Sequence, residues 1–298
     1  MKIAYPLETE ILSNGIRYVI QENHTTPTVS LCIYMVGGNI LEKRSNHGIS
    51  ILCQRMLLKS SKYRRWDTIL DELEYLGARL SPSTGKDVSG IKLEVLSRYF
   101  PEGVRIMAEC VLSPGFRSSE FNREKKNLLV EIKKRQDELV ARASDLCDKS
   151  LFAGHPYRFP LIGDVETVKR LKREDLAKWH QGIYRPDRMV IAVCGDVRPD
   201  LVRDVLEEYF GIYSPSGEAM ELVSKKLRKR KSPDILKEKR KKRQASLCMG
   251  FIGPKLASSD YYAFSVLNQV LSGMGSRLFI VIRDELGLAY MVQSVYSG

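Results

Sequence analysis

The chain breaks its own pattern once, between Gly211 and Arg243, and that break sets what can fold on either side of it. Before it, short apolar runs alternate with amphipathic stretches. Gly211–Gly217 is then rich in Ser, Pro and Gly, which favour turns and connections over regular elements. Twelve Lys and Arg follow between Lys225 and Arg243, against two acids, Asp234 and Glu238. A block of like charges repels itself and builds no core. The chain therefore reads as a domain over residues 1–218, a basic linker over 219–244 and a further region over 245–298. Domains run to roughly 100–150 residues, so the last region is shorter than a usual domain.

The net charge of the 298 residues is +12. Ten of those charges sit in the basic run, so the rest of the chain is close to neutral and carries no general nucleic-acid surface. The run contains no Phe, Tyr or Trp, so it lacks the stacking platforms of single-strand readers, and it has no sustained apolar face for lying on a membrane. A solvated linker is the plainest reading; a binder of nucleic acid or of another anionic surface is the alternative. No apolar run approaches the ~18 residues of a membrane span, and no membrane partner is expected. The start, MKIAYPLETE, has neither a basic-then-apolar leader nor an Arg/Ser-rich transit composition. Cys32, Cys53, Cys110, Cys147, Cys194 and Cys248 form no CxxC pair and sit mostly in apolar runs. They read as buried free thiols in a reducing, cytoplasmic setting.

Periodicity places the elements. Glu8–Leu12, the turn Ser13-Asn14-Gly15 and Ile16–Gln21 read as a hairpin. Val29–Val36, Arg79–Ser83, Val88–Val95 and Met189–Cys194 read as further strands. Helical spacing marks Gly48–Lys59, Trp66–Leu76, Phe100–Leu112, Ala143–Phe152, Val165–Leu171, Glu174–Ile183 and Leu201–Tyr209. Ser118 reads as the N-cap of a long helix to about Gln136. After the linker, Ala245–Phe251 and Leu288–Val295 read as strands, with Ser259–Leu271 and Ser276–Arg283 as helices. Without strict βαβ spacing the class is α+β. The strand at Leu288–Val295 is expected to present an open sheet edge.

Eight segments together carry a resemblance: LSNGIRYVIQE (Leu12–Glu22), GGNILEKRSNHGIS (Gly37–Ser50), MLLKSSKYR (Met56–Arg64), ELEYLGARLSPSTGKD (Glu72–Asp87), EKKNLLVEI (Glu124–Ile132), GHPYRFPLIGD (Gly154–Asp164), YRPDRMVIAVCGD (Tyr184–Asp196) and SGMGSRLFIVIRDELGLAY (Ser272–Tyr290). In this order they resemble the pitrilysin-type inverted-zincin metallopeptidases, the relatives of mitochondrial processing peptidase and insulin-degrading enzyme. The resemblance implies an α/β sandwich with a mostly antiparallel sheet covered by helices, then the beginning of a second similar domain. It also implies a zinc site: two His four apart on one helix, a general-base Glu before the second, and a third ligand on a later helix.

In that register Ile51 and Arg55 stand at the two His positions and Gln54 at the general base. Isoleucine has no donor atom, glutamine takes no proton near neutrality, and arginine is a fixed cation. The third-ligand position keeps Glu131, and Glu124 stands seven residues earlier where the family has a supporting Glu. The relic positions are thus Ile51, Gln54, Arg55, Glu124 and Glu131. No metal ligand set is intact, and no bound cofactor is expected where active relatives hold zinc. The expectation is that Arg55 fills the metal's place and pairs with Glu131. His24, His47, His155 and His180 have no i,i+3 or i,i+4 partner, so they read as structural. Arg283 and Tyr290 match a pair that grips the substrate backbone in the family's second domain, and Arg79–Ser83 matches an edge that binds extended peptide.

The resemblance implies a non-catalytic homologue: a peptide-binding or scaffolding subunit that handles peptide or unfolded polypeptide. It would work beside a paralogous HxxEH-bearing chain or as a homodimer. An active zinc metalloendopeptidase of the same family is the alternative.

Overall fold

A computed structural model of the chain describes residues 7–215, 217–221, 227 and 234–297. The chain divides into two compact units, Met1–Cys248 and Met249–Gly298. Much of the expected linker, residues 222–226 and 228–233, lies outside the described residues, as do residues 1–6.

The first unit is built on a sheet of six strands among the described residues: β1 (Glu8–Ile11), β2 (Arg17–Glu22), β3 (Thr28–Val36), β4 (Arg79–Thr84), β5 (Val88–Leu96) and β6 (Met189–Gly195), in the order β1-β2-β6-β3-β5-β4. All neighbours are antiparallel except β2 and β6. Alternate residues Leu31, Ile33 and Met35 of β3, Ile91, Leu93 and Val95 of β5, and Ile191 and Val193 of β6 are buried. That period of two sends one face into the core. Tyr34, Val36 and Val190 point the other way and are exposed, so only one face is covered by helices.

The helices of this unit are α1 (Ile49–Leu57), α2 (Trp66–Tyr75), α3 (Phe100–Leu112), α4 (Ser118–Asp137), α5 (Leu139–Leu151), α6 (Val165–Arg170), α7 (Arg173–Ile183) and α8 (Pro199–Leu206). α1 is the most deeply set for its length, with Leu52, Cys53, Met56 and Leu57 buried. Each large apolar side chain so buried contributes roughly 1.5–3 kcal/mol. The start of α1 is pinned by Glu42. Its buried carboxylate accepts hydrogen bonds from the backbone N–H of Gly48 (3.1 Å) and Ser50 (3.0 Å), from the Ser50 hydroxyl, and from Asn39 Nδ2 (2.9 Å). Burial raises the Glu42 pKa and these donors oppose the rise. Gly48 itself takes a left-handed φ of 85° with a backbone carbonyl 3.0 Å from where a Cβ would sit, so only glycine fits the entry to α1.

Two expectations are corrected in detail. Ser118 is not the cap of the long helix: the capping position is Arg117, and no side chain bonds the helix end there. Only Cys53 and Cys110 are buried; Cys32 and Cys147 are half-buried, and Cys194 and Cys248 are exposed. On edge or surface elements, an apolar run does not guarantee burial.

The described residues of the second unit hold one α-helix, α9 (Tyr261–Leu271), and a wide helical turn at Phe279–Glu285. The strands expected at Ala245–Phe251 and Leu288–Val295 do not form. A strand exists only through ladder hydrogen bonds to a neighbour, and the described residues of this unit include none. The open edge expected at Leu288–Val295 is likewise absent. Among the described residues of this unit no large apolar side chain is buried, and Phe251, Tyr262, Leu288 and Tyr290 are among the most exposed.

Candidate functional site

Helices α1 and α4 bring the relic positions together. Arg55, in the last turn of α1, extends its guanidinium to Glu131 on α4. Nη1 donates to Oε1 at 2.8 Å and Nη2 to Oε2 at 2.7 Å. This fork-on-fork geometry is the strongest arrangement open to an arginine and a carboxylate. It is a half-open pair, with side-chain exposures of 25% and 46%. The Arg55 guanidinium holds the Glu131 carboxyl below its ordinary pKa against a smaller opposing effect of burial.

Glu124, seven residues earlier on α4, is buried and meets a second cation, Lys59 Nζ, at 3.3 Å. Lys59 lies just past the end of α1 at Leu57, and no spacing in the sequence pairs it with Glu124. Each carboxylate of the relic site therefore has its own fixed positive charge.

Gln54 has turned inward. It is 2% exposed. Its Nε2 donates to the carbonyl of Gly90 on β5, and its Oε1 accepts from the hydroxyl of Tyr184, just beyond α7. Tyr184 is held in turn by stacking on His180, with ring centroids 4.2 Å apart, and its backbone carbonyl accepts from Tyr213 at 2.8 Å. The residue at the general-base position thus ties α1 to the sheet and to the end of α7. Ile51 is half-buried against the core and supplies no donor.

These residues do not fit a zinc ion. Of the positions the resemblance assigns to the site, Ile51 is a hydrocarbon, Arg55 is a cation already bonded to Glu131, and Gln54 is an amide with both polar atoms used. Among the described residues no group of three His, Cys, Asp or Glu side chains is placed to hold a metal. The lone histidines have structural partners. His180 Nε2 lies 2.7 Å from the Val111 carbonyl, and burial pushes its pKa down to about 4. His24 sits on the surface between Asp196 and Glu22. His47 packs on Phe159 at 3.6 Å between ring centroids, and the His155 Nδ1 accepts from the Tyr157 backbone N–H.

Arg283 and Tyr290 come together within the second unit. The guanidinium lies 4.7 Å from the Tyr290 ring centroid and 4.6 Å from that of Phe279, a cation between two aromatic faces. Tyr290 remains 82% exposed. Lys237, Lys239 and residues 240–243 of the basic run are exposed. Among the described residues no helix is long and apolar enough to cross a membrane.

A mostly antiparallel six-stranded sheet covered by helices on one face is the fold of peptidase M16 domains, and in this chain an arginine–glutamate pair joins α1 to α4. The family pattern described as Insulinase (Peptidase family M16) matches residues 17–165, and that described as Peptidase M16 inactive domain matches residues 170–297. The chain belongs to the M16 peptidase family. It is 30% identical over 286 residues to a Bacillus subtilis protein named Uncharacterized zinc protease YmxG, covering 96% of this chain and 69% of that one. It is 26% identical over 218 residues to the probable mitochondrial-processing peptidase subunit beta of Schizosaccharomyces pombe, covering 72% of this chain and 47% of the relative. Its fold superposes with a TM-score of 0.82 and 22% identity on a peptidase M16 inactive domain from Pseudomonas fluorescens, covering 98% of this chain and 71% of that one. The chain thus spans from about half to seven-tenths of the length of these proteins.

Proposed function

We propose that the chain is a non-catalytic M16 homologue that binds peptide or scaffolds a two-chain peptidase, beside a paralogous HxxEH-bearing subunit or as a homodimer. The observation that carries this reading is the Arg55–Glu131 pair: the resemblance assigns Arg55 to a zinc-ligand position, and its guanidinium is bonded to the Glu131 carboxylate. The inward turn of Gln54 supports it, because an amide with both polar atoms bonded activates no water. The name of the fission-yeast relative, a subunit, supports a paired arrangement. Arg283 and Tyr290 are the proposed peptide-backbone contacts, since a guanidinium and a phenol both donate to carbonyl oxygens. A reducing, cytoplasmic setting is proposed from the scatter of six cysteines with no CxxC pair.

Two measurements test the reading together. The chain is exposed to zinc, desalted, and its metal content determined. Cleavage of an internally quenched peptide is then followed for the chain alone and with an HxxEH-bearing paralogue. The expected result is no stoichiometric zinc and no hydrolysis alone, with peptide binding or stimulation of the partner that weakens on Arg283→Ala. Chelator-sensitive hydrolysis by the isolated chain overturns the reading in favour of an active peptidase.

A further inference from the structure

Both acids of the basic run are bonded to helix α5. The Ser150 hydroxyl donates to the Asp234 carboxylate at 2.6 Å, and Arg142 Nε and Nη2 both donate to Glu238 Oε2, at 2.9 and 2.7 Å. Asp234 and Glu238 are four residues apart, Arg142 and Ser150 eight apart, and the two pairings run in opposite chain directions. Four residues of extended chain span roughly 13 Å and eight of helix rise roughly 12 Å, so the bonds suit an extended stretch laid antiparallel along α5. Successive side chains of an extended chain point to opposite sides. Glu238 faces α5, and its neighbours Lys237 and Lys239 therefore face away. Arg240 turns back, its Nε donating to Glu238 Oε1 at 2.6 Å. Lys237, Lys239, Lys241, Lys242 and Arg243 are exposed and form no ion pair among the described residues.

Helix α5 also reaches the edge of the sheet. Asp148, two residues before Ser150, meets Lys86 Nζ at 2.9 Å in the turn between β4 and β5. β4 is the edge strand that the resemblance assigns to extended peptide. One helix thus carries the row of cations and braces that strand. We propose that the row docks an extended acidic polypeptide, which makes acidic peptides the class of ligand this chain takes; the proposal rests on the peptide-binding reading above. Lys237 and Lys239 repeat at two residues, as do same-side carboxylates of an extended chain, roughly 6.6 Å apart in both. Because Asp234 and Glu238 are bonded to α5, they do not compete for the lysines, and the row is held open before a partner arrives. That lowers the ordering cost of binding. Each exposed ion pair contributes little, and several in a row contribute together. The row has no aromatic or amide side chain between Lys237 and Arg243, so a nucleic acid would be held through its phosphates alone, without stacking or base contacts.

The test follows the fluorescence anisotropy of two labelled peptides of equal length added to the full chain, one alternating Glu and Ser, the other alternating Gln and Ser. The acidic peptide is expected to bind more tightly, with an affinity that falls as salt is added. Replacing Lys237→Ser, Lys239→Ser, Lys241→Ser and Lys242→Ser together should weaken the acidic peptide by roughly tenfold or more and leave the neutral one unchanged. An equal loss of charge elsewhere, by Lys62→Ser, Lys126→Ser, Lys169→Ser and Lys178→Ser, should change neither. All eight side chains are exposed, so both variants are expected to fold. Equal binding of the two peptides by the intact chain overturns the proposal and leaves the peptide-binding reading standing. Failure of both peptides to bind overturns that reading as well. An equal loss of acidic-peptide binding in the two variants overturns the placement on this row. Tighter binding of a labelled oligonucleotide of the same charge than of the acidic peptide assigns the row to nucleic acid and likewise overturns the proposal.

Discussion

Restoring a carboxylate at the general-base position should unsettle this scaffold. In Gln54→Glu the introduced side chain has the shape of the amide but faces the Gly90 carbonyl, an acceptor, where the amide placed a donor. Protonated, it donates to Gly90 and accepts from Tyr184 as the amide did. Ionised, it sets a buried negative charge against a carbonyl oxygen. The surroundings already resist charge: burial pushes the neighbouring Cys53 thiol and the Tyr184 phenol upward. The only charge-stabilising donor at hand is the Tyr184 hydroxyl, so the introduced group should titrate roughly 2–3 pH units above an ordinary carboxyl. The folded chain then holds a proton that the unfolded chain releases, and stability falls as pH rises through that window. At about 1.4 kcal/mol per pH unit, the loss is near zero at pH 4.5 and about 3 kcal/mol at pH 7. Urea unfolding followed by tryptophan fluorescence reads it, because Trp179 on α7 is 3% exposed. Gln54→Met is the control. It leaves the Tyr184 hydroxyl without its partner and should lose about 2 kcal/mol at both pH values. A Gln54→Glu loss that is equal at pH 5 and pH 7, or absent at pH 7, refutes the inward amide as the state of this residue.

Arg55→Met should lower stability by only about 0.5–1 kcal/mol at pH 7, since the pair with Glu131 is half-exposed. Because Arg55 depresses the Glu131 pKa, that contribution is complete above the ordinary carboxylate range. It disappears as pH falls through the lowered value, so the denaturation curves of the two proteins should draw together as pH is taken down below the ordinary carboxylate range. Arg64→Ala should do more damage, about 2–3 kcal/mol in urea unfolding. It strips partners from Glu109, which Nε meets at 3.0 Å, and from Glu72, whose pKa Arg64 holds down. His180 should make the native state acid-sensitive. Its pKa falls from 6.5 to about 4 on burial, so between those values the unfolded chain takes up a proton the folded chain refuses. Stability should fall by about 3 kcal/mol from pH 6.5 to pH 4, and His180→Gln should flatten that part of the profile.

The parts of the fold legible in the sequence were those governed by local period. The alternation in Val29–Val36 and Val88–Val95 located β3 and β5, and Phe100–Leu112 coincides with α3. Illegible were features decided by distant partners. Nothing near Met189 announces that β6 lies parallel to β2, and nothing in Leu288–Val295 reveals that no neighbour forms a ladder there. The same division holds at the relic site. That Ile51 has no donor atom, Gln54 is an amide and Arg55 is a cation could be read directly, because it is a matter of residue type. The inward bonds of Gln54 and the Lys59–Glu124 pair could not, because they depend on where Gly90, Tyr184 and the end of α1 arrive in space.

The position of β6 has a consequence for synthesis. It lies between β2 and β3 and bonds to both along most of their lengths, yet it is the last strand of the sheet to be made. As the chain emerges from the ribosome, β1 with β2, and β3 with β5 and β4, form two separate pieces, each with a bare hydrogen-bonding edge. Those edges stay open until residues 189–195 arrive and are poised to pair with the wrong neighbour. A chain stopped before Met189 should therefore aggregate rather than persist as a smaller folded protein. The lag between β2 and β6 should also make the folding of this unit slow, since its central seam joins residues far apart in the chain.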